Sequence, residues 1–165
     1  MNYLQSLHVL PLRTIGDAQA ASTATTYLDL DNAVGEVELQ VQLGTLTSSA
    51  DVSSYVTITV EASTAIDSTV GAVAIPFHYR TTAAVGIDTM GAVTASGSTG
   101  FAVVSTDYAN SDLLIYVDPA LVAEQGDDYR YISLAITAAT GTSAFNYAVT
   151  ARFVDRYGGN AVSST

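Results

Sequence analysis

The sequence predicts an all-β fold, and three observations lead to this prediction. Several segments alternate apolar and polar residues with a period of two, which is typical of strands that have one face in a core. Turn-forming stretches rich in Gly, Ser and Asp separate these segments at short intervals. No segment shows the 3.6-residue periodicity of a long helix. We therefore expect a two-sheet antiparallel sandwich that is jelly-roll-like, with an immunoglobulin-like arrangement as the second choice.

The clearest alternation lies near the C-terminus, between residues 129 and 155. In the run YRYISLAIT, Ile132, Leu134 and Ile136 share one face, and in FNYAVTARFVD a second apolar face reaches Phe153. The small, Gly-containing stretch AATGTSA between the two runs is typical of a turn. The pattern therefore predicts one long antiparallel hairpin whose inward residues form the centre of the core.

Further strands are predicted upstream of this hairpin. EVELQVQL alternates most regularly, and YVTITVEAS, AVAIPFHYRTT, FAVVS and LLIYVD also have the length and composition of strands. Turns and loops are expected between them, at residues 31–35, 44–54 and 64–71. Pro76 has no N–H to donate and therefore indicates an edge or a bulge. One helical turn is predicted in PALVAEQG, where Pro119 begins it and Gly126 ends it.

Residues 1–26 differ from the rest of the chain, and we assign them to an extended N-terminal arm. The β-sandwich domain is expected to span residues 27–158, followed by a flexible tail over residues 159–165. The arm is apolar without a clean strand or helix period, and exposed apolar groups are a liability in water. We therefore expect it to dock in a groove of a neighbouring molecule and to add little to the stability of the isolated domain. Its candidate interface residues are Leu4, Leu7, Val9, Leu10 and Leu12.

The charge of the chain excludes several classes of partner. The formal net charge is −11, Lys is absent, and five Arg are the only strongly basic side chains. Nucleic-acid binding requires a basic surface that neutralises phosphates, and an anionic membrane would repel an acidic chain. We therefore expect neither nucleic acid nor a membrane as a partner. The N-terminal segment lacks the basic and apolar regions of a signal peptide, so export by that route is not expected.

No pattern in the sequence indicates catalysis, a cofactor or a metal. Cys is absent, which excludes thiolate ligands and Cys nucleophiles. Neither His8 nor His78 belongs to a metal-ligand spacing, and Gly97–Gly100 lacks the spacing of a serine hydrolase elbow. We therefore expect a protein that is not an enzyme. Solvated turn carboxylates are favoured over Ca²⁺ ligands at the two acidic pairs, Asp29 with Asp31 and Asp127 with Asp128.

Tyr and Arg supply the candidate contact residues of the domain. The chain has ten Tyr, for which core and interface packing is favoured over a carbohydrate-binding aromatic face. Arg residues on or beside predicted strands could pair with carboxylates across a subunit interface, or they could pair within the chain or be exposed to solvent, and both alternatives stay open. The group comprises Arg130 and the three candidate interface residues Arg80, Arg152 and Arg156.

The order of these segments resembles that of a known family. The segments are YVTITVEAS, IPFHYRTT, GIDTMGAVTASG, LLIYVDPALV, DDYRYISLAIT and FNYAVTARFVDRYGG, and the similarity covers about residues 27–158. In this pattern the chain resembles the capsid decoration (cement) proteins of tailed bacteriophages, which are small virion proteins encoded near the major capsid protein. The resembling pattern contains no catalytic signature.

The resemblance implies a β-sandwich that sits on the outer surface of a virion and clamps adjacent major capsid proteins, after synthesis in the host cytoplasm. The expected partners are the major capsid protein and further copies of this chain. A low-charge surface rich in Tyr and exposed sheet edges favour a homo-oligomer, with a homotrimer preferred and a dimer next. The alternatives are a phage tail, baseplate or fibre module, or a carbohydrate-binding adhesin module.

Overall fold

The structure, a computed structural model, describes residues 7–13, 23–25, 27–31, 33–48, 56–66, 71–82, 89–103, 111–138 and 142–155. Within these segments the backbone forms twelve strands and one short helix. The strands form two sheets in which neighbouring strands are antiparallel, and one hydrophobic core lies between the sheets. The predicted all-β, two-sheet sandwich is therefore confirmed.

Six strands form the first sheet, in the spatial order β1 (Leu7–Arg13), β12 (Thr142–Asp155), β4 (Ala33–Ser48), β10 (Asp112–Val117), β7 (Phe77–Thr81) and β8 (Thr94–Ser96). The pair β4 and β12 is joined along nearly its whole length. Because β4 also pairs with β10, this ladder connects the two halves of the first sheet.

The second sheet is centred on β5 (Val56–Ser63) and β11 (Tyr131–Ala138), which pair over eight residues each. Two short strands, β6 (Val73–Ile75) and β9 (Phe101–Val103), share the far side of β5. Two more, β2 (Thr23–Ala24) and β3 (Leu28–Asp29), share the far side of β11. The chain passes repeatedly from one sheet to the other, so its strands close around a single core.

The period-two patterns explain which side chains fill this core. On β4, Val37, Leu39, Val41 and Leu43 are buried, as the alternation predicts. The same holds for alternate apolar residues of β5, β10 and β11, whose burial patterns also follow a period of two over most of their length. Each strand therefore presents one apolar face to the opposite sheet, which is the condition for a stable sandwich.

The predicted long hairpin is wrong, although its residues form the core as expected. β11 lies in the second sheet and β12 in the first, so the two strands face each other instead of pairing. Leu134 is 0% exposed and Phe153 is 3% exposed. Alternation indicates which residues share an apolar face. The same alternation occurs whether the next strand pairs with this one or lies in the facing sheet.

Two predicted interruptions of strands also differ from the structure. β4 begins at Ala33 and continues to Ser48, where a turn at 31–35 and a loop from Gly44 were expected. The register between β4 and β12 shifts near both places, and Gly35 has a φ of +75°, a conformation that favours glycine. The turn-like residues therefore form bulges within a continuous ladder.

Two of the three proline residues lie at the ends of elements, as expected from their chemistry. Pro76 lies between β6 in the second sheet and β7 in the first, so it interrupts the predicted continuous strand at the point where the chain changes sheets. The predicted helical turn is confirmed as α1 (Pro119–Ala123). The Asp118 carboxylate accepts the N–H of Ala120 at 2.9 Å as an N-cap. Gly126, with a φ of +146°, follows the last turn.

The described residues of the N-terminal arm belong to both sheets, since Leu7–Arg13 form β1 in the first sheet and Thr23–Ala24 form β2 in the second. β1 pairs with β12 as the outermost strand, and Leu12 is 4% exposed within the core. The weak alternation there has a local cause, because a bulge shifts the register between Pro11 and Arg13. Residues 7–13 are therefore an outer strand that pairs with the domain, although the sequence pattern indicated a separate arm.

Leu134→Ala tests the assignment of the core. We expect it to lower the free energy of unfolding by about 2–5 kcal/mol, because truncating a fully buried Leu removes apolar contacts and leaves a cavity. The matched control is Thr137→Ala on the exposed side of the same strand, which should change it by less than about 0.5 kcal/mol. Urea denaturation of both variants measures the difference, and equal losses would contradict the assignment.

Leu12→Ala tests whether β1 stabilises the isolated domain. The burial of Leu12 predicts a loss of about 2 kcal/mol or more, whereas Val9→Ala on the outward side of the same strand should be nearly neutral. Deleting residues 1–20 should likewise lower the melting temperature, which reverses the expectation from the sequence. An unchanged melting temperature after the deletion would show that β1 docks too weakly to support the domain.

Candidate binding surface on the first sheet

Charged and polar side chains lie on the outer face of the first sheet, which is the face directed away from the core. Strand register places Val9, Arg152, Glu38, Tyr116 and His78 in one row across five adjacent strands. Side chains directly opposite each other on neighbouring strands lie on the same face. We call this surface the outer face.

A second row runs parallel to the first on the same surface. It consists of Pro11, Thr150, Gln40, Leu114 and Arg80, again in register across five strands. Since neighbouring strands are about 4.8 Å apart, the six strands present a surface about 24 Å wide. The outer face is thus a broad platform.

An ordered group of polar side chains lies near the centre of the outer face. The Arg152 guanidinium donates to the Glu38 carboxylate through Nη1 at 2.7 Å, and it also donates through Nη2 to the side-chain oxygen of Gln40. Glu38 and Gln40 are two residues apart on β4, so one Arg on β12 bridges both. These contacts fix three long side chains and leave them half-exposed.

Arg80 and Tyr116 form a second contact on this surface, nearer the β8 edge. Arg80 Nε donates to Tyr116 Oη at 2.7 Å, and the guanidinium carbon lies 5.3 Å from the centre of the Tyr116 ring. Together with Glu36, His78 and Val93, these side chains line an open cavity of about 420 Å³. The cavity is wide enough to receive a side chain or small molecule from solution.

Two exposed valines lie at opposite ends of this surface. Val9 on β1 is 58% exposed, and Val93, just before β8, is 56% exposed. They are the most exposed large hydrophobic side chains among the described residues. Apolar groups beside ordered polar groups are typical of protein-binding surfaces.

A second charged site lies at one end of the sandwich. Arg130 donates to Asp29 at 2.9 Å and to Asp31 at 2.6 Å, and its guanidinium carbon lies 4.8 Å from the centre of the Tyr131 ring. Side-chain hydrogen bonding with Tyr131, followed by the nearby carboxylates, raises the pKa of Arg130 above its ordinary value. Because this pKa is raised, the positive charge of Arg130 and the stabilisation it provides are present at all lower pH values. They are lost only when the pH rises above the pKa. Arg130 therefore stays charged at any physiological pH.

At this end of the sandwich an arginine of the same chain neutralises the first acidic pair. Asp29 and Asp31 are held by the Arg130 cation, while Asp127 and Asp128 are exposed beside them. In the part of the chain that the structure describes, no group of three or more His, Asp or Glu is placed to hold a metal ion. The ion pair explains the first acidic pair without a metal.

The structure brings together three of the predicted interface residues and separates the others. Val9, Arg80 and Arg152 share the outer face, whereas Leu10 packs against the core and Leu12 is buried in it. The backbone of Leu7 belongs to β1, and its side chain lies outside the described part. Leu4 and Arg156 also lie outside the described residues.

Other residues that the sequence singled out lie in a turn, in the core or on the surface. Gly97–Gly100 forms a tight turn in which the N–H of Gly100 donates to the carbonyl of Gly97, so its Ser98 belongs to a turn. Gly100 has a φ of +85°, and a Cβ there would lie 2.5 Å from the carbonyl oxygen of Ile58. Tyr27 and Tyr147 are buried in the core. His78 is exposed on the outer face, as its position between Phe77 and Tyr79 predicts.

The cavity around Arg80 is the feature that the sequence did not reveal. Alternation along β7 places His78 and Arg80 on one outward face, and this signal is present in the sequence. The position of β10 between β4 and β7, which brings Tyr116 to Arg80, depends on non-local pairing. Sequence periodicity contains no information about which strands become neighbours.

Comparison with protein-family models, with curated proteins and with solved structures found no match to this chain. Among the described residues, no helix has the length and apolar character needed to cross a membrane. The function is therefore argued from the surface itself.

A double-mutant cycle between Arg152 and Glu38 tests the ordered group on the outer face. Arg152→Gln and Glu38→Gln should show a small coupling energy of about 0.2–1 kcal/mol, because the pair is half-exposed and screened by water. The control pairs Arg152→Gln with Glu61→Gln on the second sheet, where the effects should be additive. Thermal unfolding of the single and double variants measures both; additivity in the first cycle would contradict the ion pair.

Proposed function

We propose that this protein is a structural virion protein that binds the outside of a phage capsid and clamps adjacent major capsid proteins. The outer face of the first sheet supports this proposal most directly. It is broad and carries ordered polar side chains between two exposed valines. A decoration protein requires such an adhesive surface and a stable fold, and it requires no active site.

The dimensions of the outer face indicate that a clamp would use further contacts. Along β4 the outward residues from Glu36 to Gln42 span about 20 Å at roughly 3.3 Å per residue. With a width of about 24 Å, the platform measures about 480 Å², compared with about 800 Å² per partner in a typical stable interface. Contacts from the arm or from a second copy of the chain would supply the difference.

Binding of this kind would stabilise a capsid by mass action. A protein that binds only the assembled lattice, and not its separated subunits, raises the work needed to pull those subunits apart. The net charge of −11 fits a location outside the capsid, because an acidic protein is not attracted to packaged DNA.

Self-association belongs to the same proposal. A homotrimer is preferred and a dimer is the next choice, because lattice positions between capsid subunits have rotational symmetry and exposed sheet edges favour closed oligomers. Part of the N-terminal arm would contact the neighbouring molecule, with Val9 as its exposed apolar group. A tail, baseplate or fibre location would use the same surface.

The cavity on the outer face favours carbohydrate binding as a second candidate function. Tyr116 offers part of an aromatic ring, and Glu36, His78 and Arg80 surround it with hydrogen-bonding groups. Sugars bind in open clefts of this composition through ring contacts and hydrogen bonds. A glycan array with and without Ca²⁺ tests this candidate.

Binding to capsids assembled without this protein tests the first proposal. We expect the purified wild-type chain to sediment with such capsids and to appear in electron micrographs as density on their outer surface. Val93→Asp should weaken binding by at least about tenfold, because it places a charge in the contact. The control Thr137→Asp changes an exposed residue of the second sheet and should bind like the wild type.

The outcomes of this experiment test two claims separately: that the protein binds capsids, and that the outer face makes the contact. A wild-type chain that binds tail structures or glycans but no capsid would overturn the capsid assignment. Normal capsid binding by Val93→Asp would show that another surface makes the contact. Equal melting temperatures of the two variants exclude unfolding as the cause of any loss.

A further inference from the structure

Arg80 differs from Arg130 and Arg152 in the partner of its guanidinium. Each of the latter two is paired with a carboxylate of this chain. Within the segments that the structure describes, Arg80 has no carboxylate partner, and its contacts are with Tyr116. In a chain of net charge −11, a cation without a carboxylate is available to an anionic group from another molecule.

Tyr116 holds the Arg80 guanidinium in an orientation suited to binding. The Nε–H group donates to Tyr116 Oη, so this donor is already used. The four N–H donors on the two terminal nitrogens form a planar fork that matches a carboxylate with two parallel hydrogen bonds. Because Tyr116 restrains the side chain before binding, less conformational entropy is lost when a ligand arrives.

The other walls of the cavity restrict the ligand further. Val93 offers an exposed apolar surface that suits methylene groups. Glu36 is an exposed acceptor that suits an N–H or O–H donor, and in the described part of the chain it has no ion-pair partner. By strand order Val93 lies beside Arg80, whereas Glu36 lies two strands away on β4, so the cavity fits a carboxylate next to an aliphatic group, with a donor elsewhere on the same partner.

We propose that this cavity binds a glutamate or aspartate side chain of a partner protein. The carboxylate lies on the Arg80 guanidinium, the methylene groups lie on Val93, and a backbone N–H of the partner faces Glu36. This inference rests on the proposed function, because it specifies the chemistry by which the outer face contacts a protein. A peptide supplies the carboxylate and the methylene groups within one residue and N–H donors along its backbone.

Nuclear magnetic resonance with a small probe tests the site without any capsid. The probe is N-acetyl-L-glutamate α-amide, and the control ligand is N-acetyl-L-glutamine α-amide, which differs only in having no carboxylate. We expect saturable shifts of the Arg80 Nε–H resonance with the first ligand and none with the second. Arg130 and Arg152, whose guanidinium groups are already paired, should not shift.

Variants of the full-length chain separate the roles of the three groups. Arg80→Gln should weaken probe binding at least tenfold, and Arg80→Lys should restore only part of it because Lys lacks the planar fork. Tyr116→Phe keeps the ring but removes the acceptor that orients Arg80, so it should weaken binding less than Arg80→Gln. Arg130→Gln changes a paired arginine outside the outer face, so it is the matched control and should bind the probe like the wild type.

Three results would overturn the proposal. Equal shifts with both ligands would show that the carboxylate is not recognised. Stronger binding by Glu36→Gln would show that Glu36 only repels the ligand and accepts no donor from it. Tighter binding of glucuronate than of the glutamate probe would assign the cavity to an acidic sugar.

Capsid binding then distinguishes failure of this inference from failure of the proposed function. A wild-type chain that binds capsids, together with an Arg80→Gln chain that binds equally well, contradicts the site and leaves the capsid role standing. Probe binding at Arg80 in a chain that binds no capsid supports the site and contradicts the capsid role. Loss of capsid binding in Arg80→Gln, with an unchanged melting temperature, supports both.

Discussion

The ladder between β4 and β12 is the constraint on which the rest of the structure depends. It runs from Ala33 opposite Asp155 to Ser48 opposite Thr142, and it joins segments about a hundred residues apart in the chain. Its inward residues supply much of the apolar layer that the second sheet covers, and its outward residues place Arg152 against Glu38. Disrupting the ladder would therefore remove both the core layer and the central contacts of the outer face.

The period-two patterns predicted the fold class because they show which side chains of each strand are buried. The alternation on β4 and the apolar face of β11 identify core residues such as Leu39 and Leu134 without any knowledge of partners. The pairing of the strands was not predictable in the same way. β11 and β12 are adjacent in sequence and both have an apolar face, yet those faces meet across the core. A short turn and a crossing between sheets are equally compatible with the same residues.

The binding surface was predictable only in part, for a related physical reason. Outward strand positions are visible in the sequence, so Arg80 and Arg152 could be nominated as contact residues, whereas Val9 was nominated only as an apolar residue of the arm. Their common location is a consequence of register across five strands, and register depends on every ladder in the sheet. The arm illustrates the opposite error: the bulge after Pro11 obscures the alternation that would have assigned Leu12 to the core.

The charge of the protein shapes how an acidic partner could bind to it. A net charge of −11 repels a carboxylate at a distance, but that repulsion is screened over about 8 Å at physiological ionic strength. A bidentate contact with Arg80 acts at hydrogen-bond distance, where water is displaced and screening is weak. Added salt would therefore weaken the long-range repulsion more than the contact itself. Among the described residues Arg80 is restrained by Tyr116 and has no carboxylate partner. This acidic protein can thus repel acidic surfaces in general and still bind a carboxylate that fits the cavity.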